Sequence, residues 1–181
     1  SSGVIGPGLA VSSSNTKSIQ KAVSNSEIPL VVDGGAIKAL GENLEILQTR
    51  KPDTIFTPHE REFEDLVGSR PSPQRIEDVL RAAKLTNSIV LLKGPITVVA
   101  NPEGRCLVVA NGDHRLATAG TGDVLAGIIG ALLAQGVPSL EAAAMGAWVH
   151  AEAGQFSFKH GMVASDLINL IPEVLHETNV G

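Results

Sequence analysis

Three short apolar runs, each broken by a loop of glycine, proline or charged residues, constrain this chain most. Pro29-Leu30-Val31-Val32 runs into Asp33-Gly34-Gly35, Thr54-Ile55-Phe56 into Thr57-Pro58-His59, and Ser88-Ile89-Val90-Leu91-Leu92 into Lys93-Gly94. Runs this short without polar alternation suit strands buried on both faces. Val4-Ile5, ahead of Gly6-Pro7-Gly8, reads as a further strand end. Helical stretches are expected between them, over residues 14–23, 36–40, from 57 to about 67, and 73–85. The third has start signals: Thr57 as N-cap, Pro58 at the first helical position and Glu60 completing a capping box. Residues 96–100 and 105–110 flank Asn101-Pro102-Glu103-Gly104 and read as a hairpin. Helices over 122–135, 139–156 and 164–175 complete the pattern.

Strands alternating with helices predict an α/β fold, a mainly parallel sheet flanked by helices with a β-hairpin. The 181 residues fit one domain, residues 1–181, with no internal repeat or linker. With 43% hydrophobic and 18% charged residues, the chain has the means to bury a core. The net charge of −5 comes without any basic run, which argues against a nucleic-acid partner. The most apolar stretch, residues 124–134, is too short to span a bilayer, so no membrane association is expected. Ser1-Ser2-Gly3 does not open a signal peptide. The single cysteine, Cys106, reads as a small buried hydrophobe, and the composition suits a reducing cytoplasm.

In sheets of this kind ligands bind beyond the carboxyl ends of the strands. The loops there, Gly6-Pro7-Gly8, Asp33-Gly34, Thr57-Pro58-His59 and Lys93-Gly94, point to one shared site. Leu116-Ala117-Thr118-Ala119-Gly120-Thr121-Gly122-Asp123 then opens an apolar helix. Small residues allow close backbone approach, and the first helical N–H groups lack intrahelical partners, so a phosphate is the natural occupant. Asp123 has two readings. An acid in a first helical turn is worth about 0.3–1 kcal/mol; a carboxylate beside a transferring phosphoryl group can accept the attacking hydroxyl's proton. The other residues also have plain readings. Gly8 permits a positive-φ turn, His59 belongs to a helix start, Lys93 is an exposed strand-end lysine, and Thr97 is a strand residue. Asp33 caps the following helix, and Arg115 lies in a solvated loop or reaches a phosphate.

Taken together, these segments resemble the ribokinase-like superfamily and, more narrowly, the ADP/ATP-dependent NAD(P)H-hydrate dehydratases. Val4-Ile5-Gly6-Pro7-Gly8-Leu9 is similar to the family's glycine turn, and Val31-Val32-Asp33-Gly34-Gly35-Ala36 to its Asp-containing strand end. Thr57-Pro58-His59 with Glu62-Phe63, and Lys93-Gly94 followed by Thr97, resemble its Thr-Pro-His and nucleotide segments. Residues 117–127 resemble its signature loop, and Val163-Ala164-Ser165-Asp166-Leu167-Ile168 its closing helix. The motifs come in the family's order and cover nearly the whole chain.

The resemblance implies dehydration of hydrated NADH or NADPH at the expense of ADP or ATP with Mg²⁺. The ring hydroxyl is phosphorylated and leaves as phosphate. It implies Asp123 as the base, with Gly8, His59 and Asp123 on the hydrated dinucleotide. Lys93, Gly94, Pro95, Ile96 and Thr97, with Gly120, Thr121 and Gly122, would hold the adenine nucleotide. No side-chain metal site is singled out, and a homo-oligomer is expected. Ala10 and Ala119 stand where the family commonly has glycine, and Pro95-Ile96 where it has Ala-Gly; Pro95 removes a backbone donor. Family members usually carry a segment ahead of the glycine turn that builds part of the substrate pocket. The chain therefore reads as a possible C-terminal fragment that lacks the N-terminal part of the family's fold. Two alternatives stand beside this reading: a small-molecule kinase of the thiazole-alcohol or pyridoxal type, and a non-catalytic nucleotide-binding module.

Overall fold

The apolar runs form the middle of a six-stranded sheet. In the computed structural model, which describes residues 1–158 and 160–177, the strands are β1 (Gly3–Ile5), β2 (Leu30–Val32), β3 (Thr54–Phe56), β4 (Ile89–Leu92), β5 (Thr97–Ala100) and β6 (Cys106–Val109). They lie side by side in chain order. β1 to β4 are parallel, while β5 and β6 form the antiparallel hairpin. Every residue of β2, β3 and β4 is buried, as the unbroken apolar runs required.

Alternate residues divide between two cores. Leu30, Val32, Phe56, Val90 and Leu92 face one side. There they meet α1 (Ser13–Asn25), α2 (Gly35–Gly41), α3 (Glu45–Thr49), α4 (Glu60–Val67) and α5 (Arg75–Thr86). These helices provide the parallel crossovers, all on one face, as the handedness rule for such units demands. Val31, Ile55, Ile89, Leu91 and Val99 face the other side, against α6 (Thr121–Ala134) and α7 (Ser139–Phe156). α8 (Ala164–Glu177) lies outside this pair, with Leu167 and Val174 packed on Val149 and Ala153 of α7. Among the described residues no helix is long and apolar enough to cross a membrane. Cys106 is half-buried against the first core, and burial pushes its thiol up.

Three expectations need correction. α3 is not anticipated, because five residues show no period. The α4 capping box is built two residues later than Thr57 and Glu60 suggest. Thr57 still belongs to the sheet, its N–H donating to the Val32 carbonyl, and the Pro58 carbonyl accepts from the Lys93 N–H. The chain cannot turn helical until it has cleared β4, so His59 is the N-cap and Glu62 its partner. Glu60 instead reaches Arg75 at 2.6 Å. Asp33 does not cap α2 either: Gly34 occupies the N-cap position and no side chain caps the helix.

Candidate active site

A cleft of about 810 Å³ opens beyond the carboxyl ends of the parallel strands. The first loop supplies Gly8, at φ 68°, where an added methyl would meet nothing within 4 Å. Its glycine serves the turn. Gly6 is different: at φ 120° an added Cβ would fall 1.7 Å from the Asp33 carbonyl oxygen. The first and second loops are therefore in backbone contact.

The cleft floor is ionic. Asp33 is buried and its Oδ1 accepts from the Lys93 Nζ at 2.9 Å. Glu62 Oε2 lies 3.5 Å from the same ammonium. That carboxylate oxygen also accepts from the His59 N–H at 2.8 Å. His59 Nδ1 accepts from the Arg61 and Glu62 N–H groups at 3.1 and 3.2 Å. These bonds need an unprotonated Nδ1 and so fix which ring nitrogen carries the proton in the neutral imidazole. His59 thus begins α4 and also lines the cleft.

The signature loop closes over this floor. Gly120 is the N-cap of α6, at φ 87°. Thr121 is buried and its hydroxyl donates to the Leu116 and Thr118 carbonyls at 2.7 and 2.8 Å, which holds the loop shut. Among the described residues, the N–H groups of Gly120 and Gly122 have no partner. A methyl on Gly122 would lie 3.3 Å from Lys93 Nζ and 3.7 Å from Asp33 Oδ2, so the ammonium sits just beneath the helix start. Asp123 is exposed in the first turn and lines the cleft, and its carboxylate has no hydrogen bond or ion pair among the described residues. Lone donors, one cation and one free carboxylate thus meet at a single helix end.

Lys93, Gly94 and Pro95 of the β4–β5 loop and Thr97 at the start of β5 line the cleft, but Ile96, 50% exposed, is not among the lining residues. Arg75 braces this loop by donating to the Lys93 carbonyl at 3.1 Å. Lys93 is therefore not the free strand-end lysine of the plain reading. Arg115 is no free phosphate ligand. Its Nε and Nη2 donate to the two oxygens of Asp113, and Nη1 to the Ser157 carbonyl. It faces a separate cavity of about 320 Å³ beside Phe158 and Met162. The guanidinium holds the Asp113 carboxyl well below the usual carboxylate range, although burial opposes it.

Sequence reasoning put Asp33 in a loop of the shared site and gave it a capping role but no ionic partner, placed Glu62 in a motif without assigning it a role, and missed His150 of α7 altogether. The signal for His150 was present: a lone imidazole among Trp148, Val149 and Ala151.

A doubly covered parallel sheet with a glycine-rich helix start above its carboxyl edge defines an α/β domain of the ribokinase-like class. Solved structures bear this out. A ribokinase-like superfamily protein of Enterococcus faecalis matches with a TM-score of 0.86 at 26% identity, over 97% of this chain and 63% of its own. An ADP/ATP-dependent NAD(P)H-hydrate dehydratase of Bacillus subtilis, co-crystallised with ATP and Mg²⁺, matches with a TM-score of 0.85 at 26% identity, over 97% and 66%. The chain belongs to the NAD(P)H-hydrate dehydratase family, whose sequence profile matches residues 1–175. The bifunctional NAD(P)H-hydrate repair enzyme Nnr of Mycobacterium leprae is 40% identical over 154 residues, which are 85% of this chain and 32% of that protein. The chain thus spans about a third of that relative's length and under two thirds of these solved chains.

Proposed function

We propose that this chain forms the phosphoryl-transfer centre of an enzyme that dehydrates hydrated NADH or NADPH using ADP or ATP. The observation that carries the reading is the unpaired Asp123 carboxylate beside the free N–H groups of Gly120 and Gly122, with Lys93 beneath. The substrate's ring hydroxyl attacks the terminal phosphorus of the nucleotide and gives its proton to Asp123. The phosphorus–oxygen bond to the shortened nucleotide breaks. The N–H groups and the Lys93 ammonium face the oxygens on which negative charge gathers. The ring carbon–oxygen bond then breaks, phosphate leaves with the electron pair, and the neighbouring ring carbon gives a proton to water, which restores the double bond. Overall, water leaves the hydrate, its oxygen carried off in the phosphate.

The charge balance suits a nucleotide that arrives with Mg²⁺. Asp33, Glu62 and Asp123 face the cleft against the ammonium of Lys93. The described residues hold no group of three or more His, Cys, Asp or Glu able to cage a metal. An ion carried on phosphates keeps phosphate and water oxygens as most of its ligands, so these carboxylates need only stand nearby. A cytoplasmic location agrees with an unpaired cysteine and nucleotide co-substrates.

The test supplies the full-length protein with hydrated NADH and either ADP or ATP, and follows the absorbance of restored NADH. Recovery that requires the nucleotide is the expected result. No recovery, together with stable phosphorylation of an alcohol, would replace this reading with a small-molecule kinase.

A further inference from the structure

One wall of the cleft is apolar, made by Val109, Leu116, Leu125, Ala147 and Ala151, and His150 is set among them. His150 is only 7% exposed, and its Nε2 is enclosed without a hydrogen-bond partner among the described residues. Among the described residues two other enclosed polar atoms share that condition, Asn111 Oδ1 and Ser157 Oγ, but neither residue lines the cleft. An enclosed, unpartnered nitrogen costs stability, and an aliphatic side chain would fill this wall without that cost. Burial pushes the imidazole down to about 4; the Thr121 backbone opposes the shift and the Lys93 ammonium adds to it. The ring is therefore neutral in neutral solution, with one donor and one acceptor.

We propose that His150 orients the nucleoside end of the bound nucleotide, bonding through its ring nitrogen to a neutral group on the base or ribose. The inference rests on the nucleotide reading above. To a phosphate a neutral imidazole offers a single N–H and no charge. The helix start and Lys93 already provide for phosphate. A base lies naturally on a wall of Val, Leu and Ala, where a neutral imidazole can meet its edge or a ribose hydroxyl. The torsion between Cβ and the ring is broad and roughly two-fold. Half a turn about it exchanges the two ring edges, so Nε2 is not confined to its enclosed position.

The experiment titrates the full-length protein with ADP and, as a phosphate-only probe, with pyrophosphate, by calorimetry, and records ligand-free melting. In His150→Phe the Kd for ADP should rise about tenfold, the loss of one hydrogen bond. The Kd for pyrophosphate and the ligand-free melting temperature should hold. His150→Asn, smaller and shorter in reach, should weaken ADP in the same selective way and serves if phenylalanine does not fit. An unchanged ADP Kd in both variants overturns the proposal. So does equal weakening of ADP and pyrophosphate, or a drop in melting temperature with ADP affinity kept. Wild-type protein that binds neither probe overturns the nucleotide reading itself, and this inference with it.

Discussion

The ion pair at the cleft floor is unequal, and the inequality can be measured. Asp33 and Lys93 meet at 2.9 Å with side-chain exposures of 4% and 21%. Lys93 has a second carboxylate, Glu62, at 3.5 Å, whereas the Asp33 carboxylate has Lys93 as its side-chain partner. Lys93→Met keeps the length of the side chain but strands a buried carboxylate, which should cost about 3–5 kcal/mol. Asp33→Asn leaves an ammonium that is partly hydrated and still near Glu62, so about 1–2 kcal/mol is expected. Urea unfolding followed by circular dichroism gives both losses as shifts in midpoint at constant m. They are large enough to see against a total of about 5–15 kcal/mol. The double variant should lose less than the sum, by about 0.5–3 kcal/mol, since both members of one pair are gone. Equal single losses would refute the asymmetry, and an additive double variant would refute the coupling.

Three further outcomes follow from the same geometry. Asp123→Asn should keep nucleotide affinity and lower turnover about 10²–10⁴-fold; calorimetry and the NADH-recovery assay check the two halves, and unchanged turnover removes Asp123 from the chemistry. Gly6→Ala puts a Cβ into the Asp33 carbonyl at a φ that L-residues avoid, so a loss above about 4 kcal/mol or failure to fold is expected. A wild-type melting curve would show that the two loops are not in contact. Asp113 has its folded-state pKa below the unfolded value through Arg115, so its contribution is whole above about pH 4 and fades as the pH falls further. Asp113→Asn should melt below wild type near neutrality, with the gap closing in acid; a gap independent of pH would count against the pairing.

How much was legible followed from how local each cause was. Strands buried on both faces cannot alternate, so β2, β3 and β4 were visible as apolar runs. The glycine turns were visible because their backbones admit little else. α7 was found at its full extent, 139–156. The failures lie where distant chain decides. Whether Thr57 or His59 caps α4 depends on β2 and β4, which still hold residues 57 and 58 in the sheet. Asp33 and Lys93 are sixty residues apart, and nothing in either neighbourhood announces the other. Their partnership required the sheet order to be known first. The lone imidazole of His150 stands in an alanine-rich helix, and only the fold shows that it lines the cleft.

The reversal at β4 and β5 has one more consequence. Because β6 runs back parallel to β4, the hairpin sends both of its open ends, residues 93–97 and 109–113, to the rim of the cleft, and its turn at 101–104 to the far end. β6 is also an outermost strand, with one side of its amide ladder open to fraying. A molecule that touches both rims would tie the loose edge of the sheet to its centre. Occupancy of the cleft would then be readable from slowed hydrogen exchange in β6, in amides that the molecule never touches.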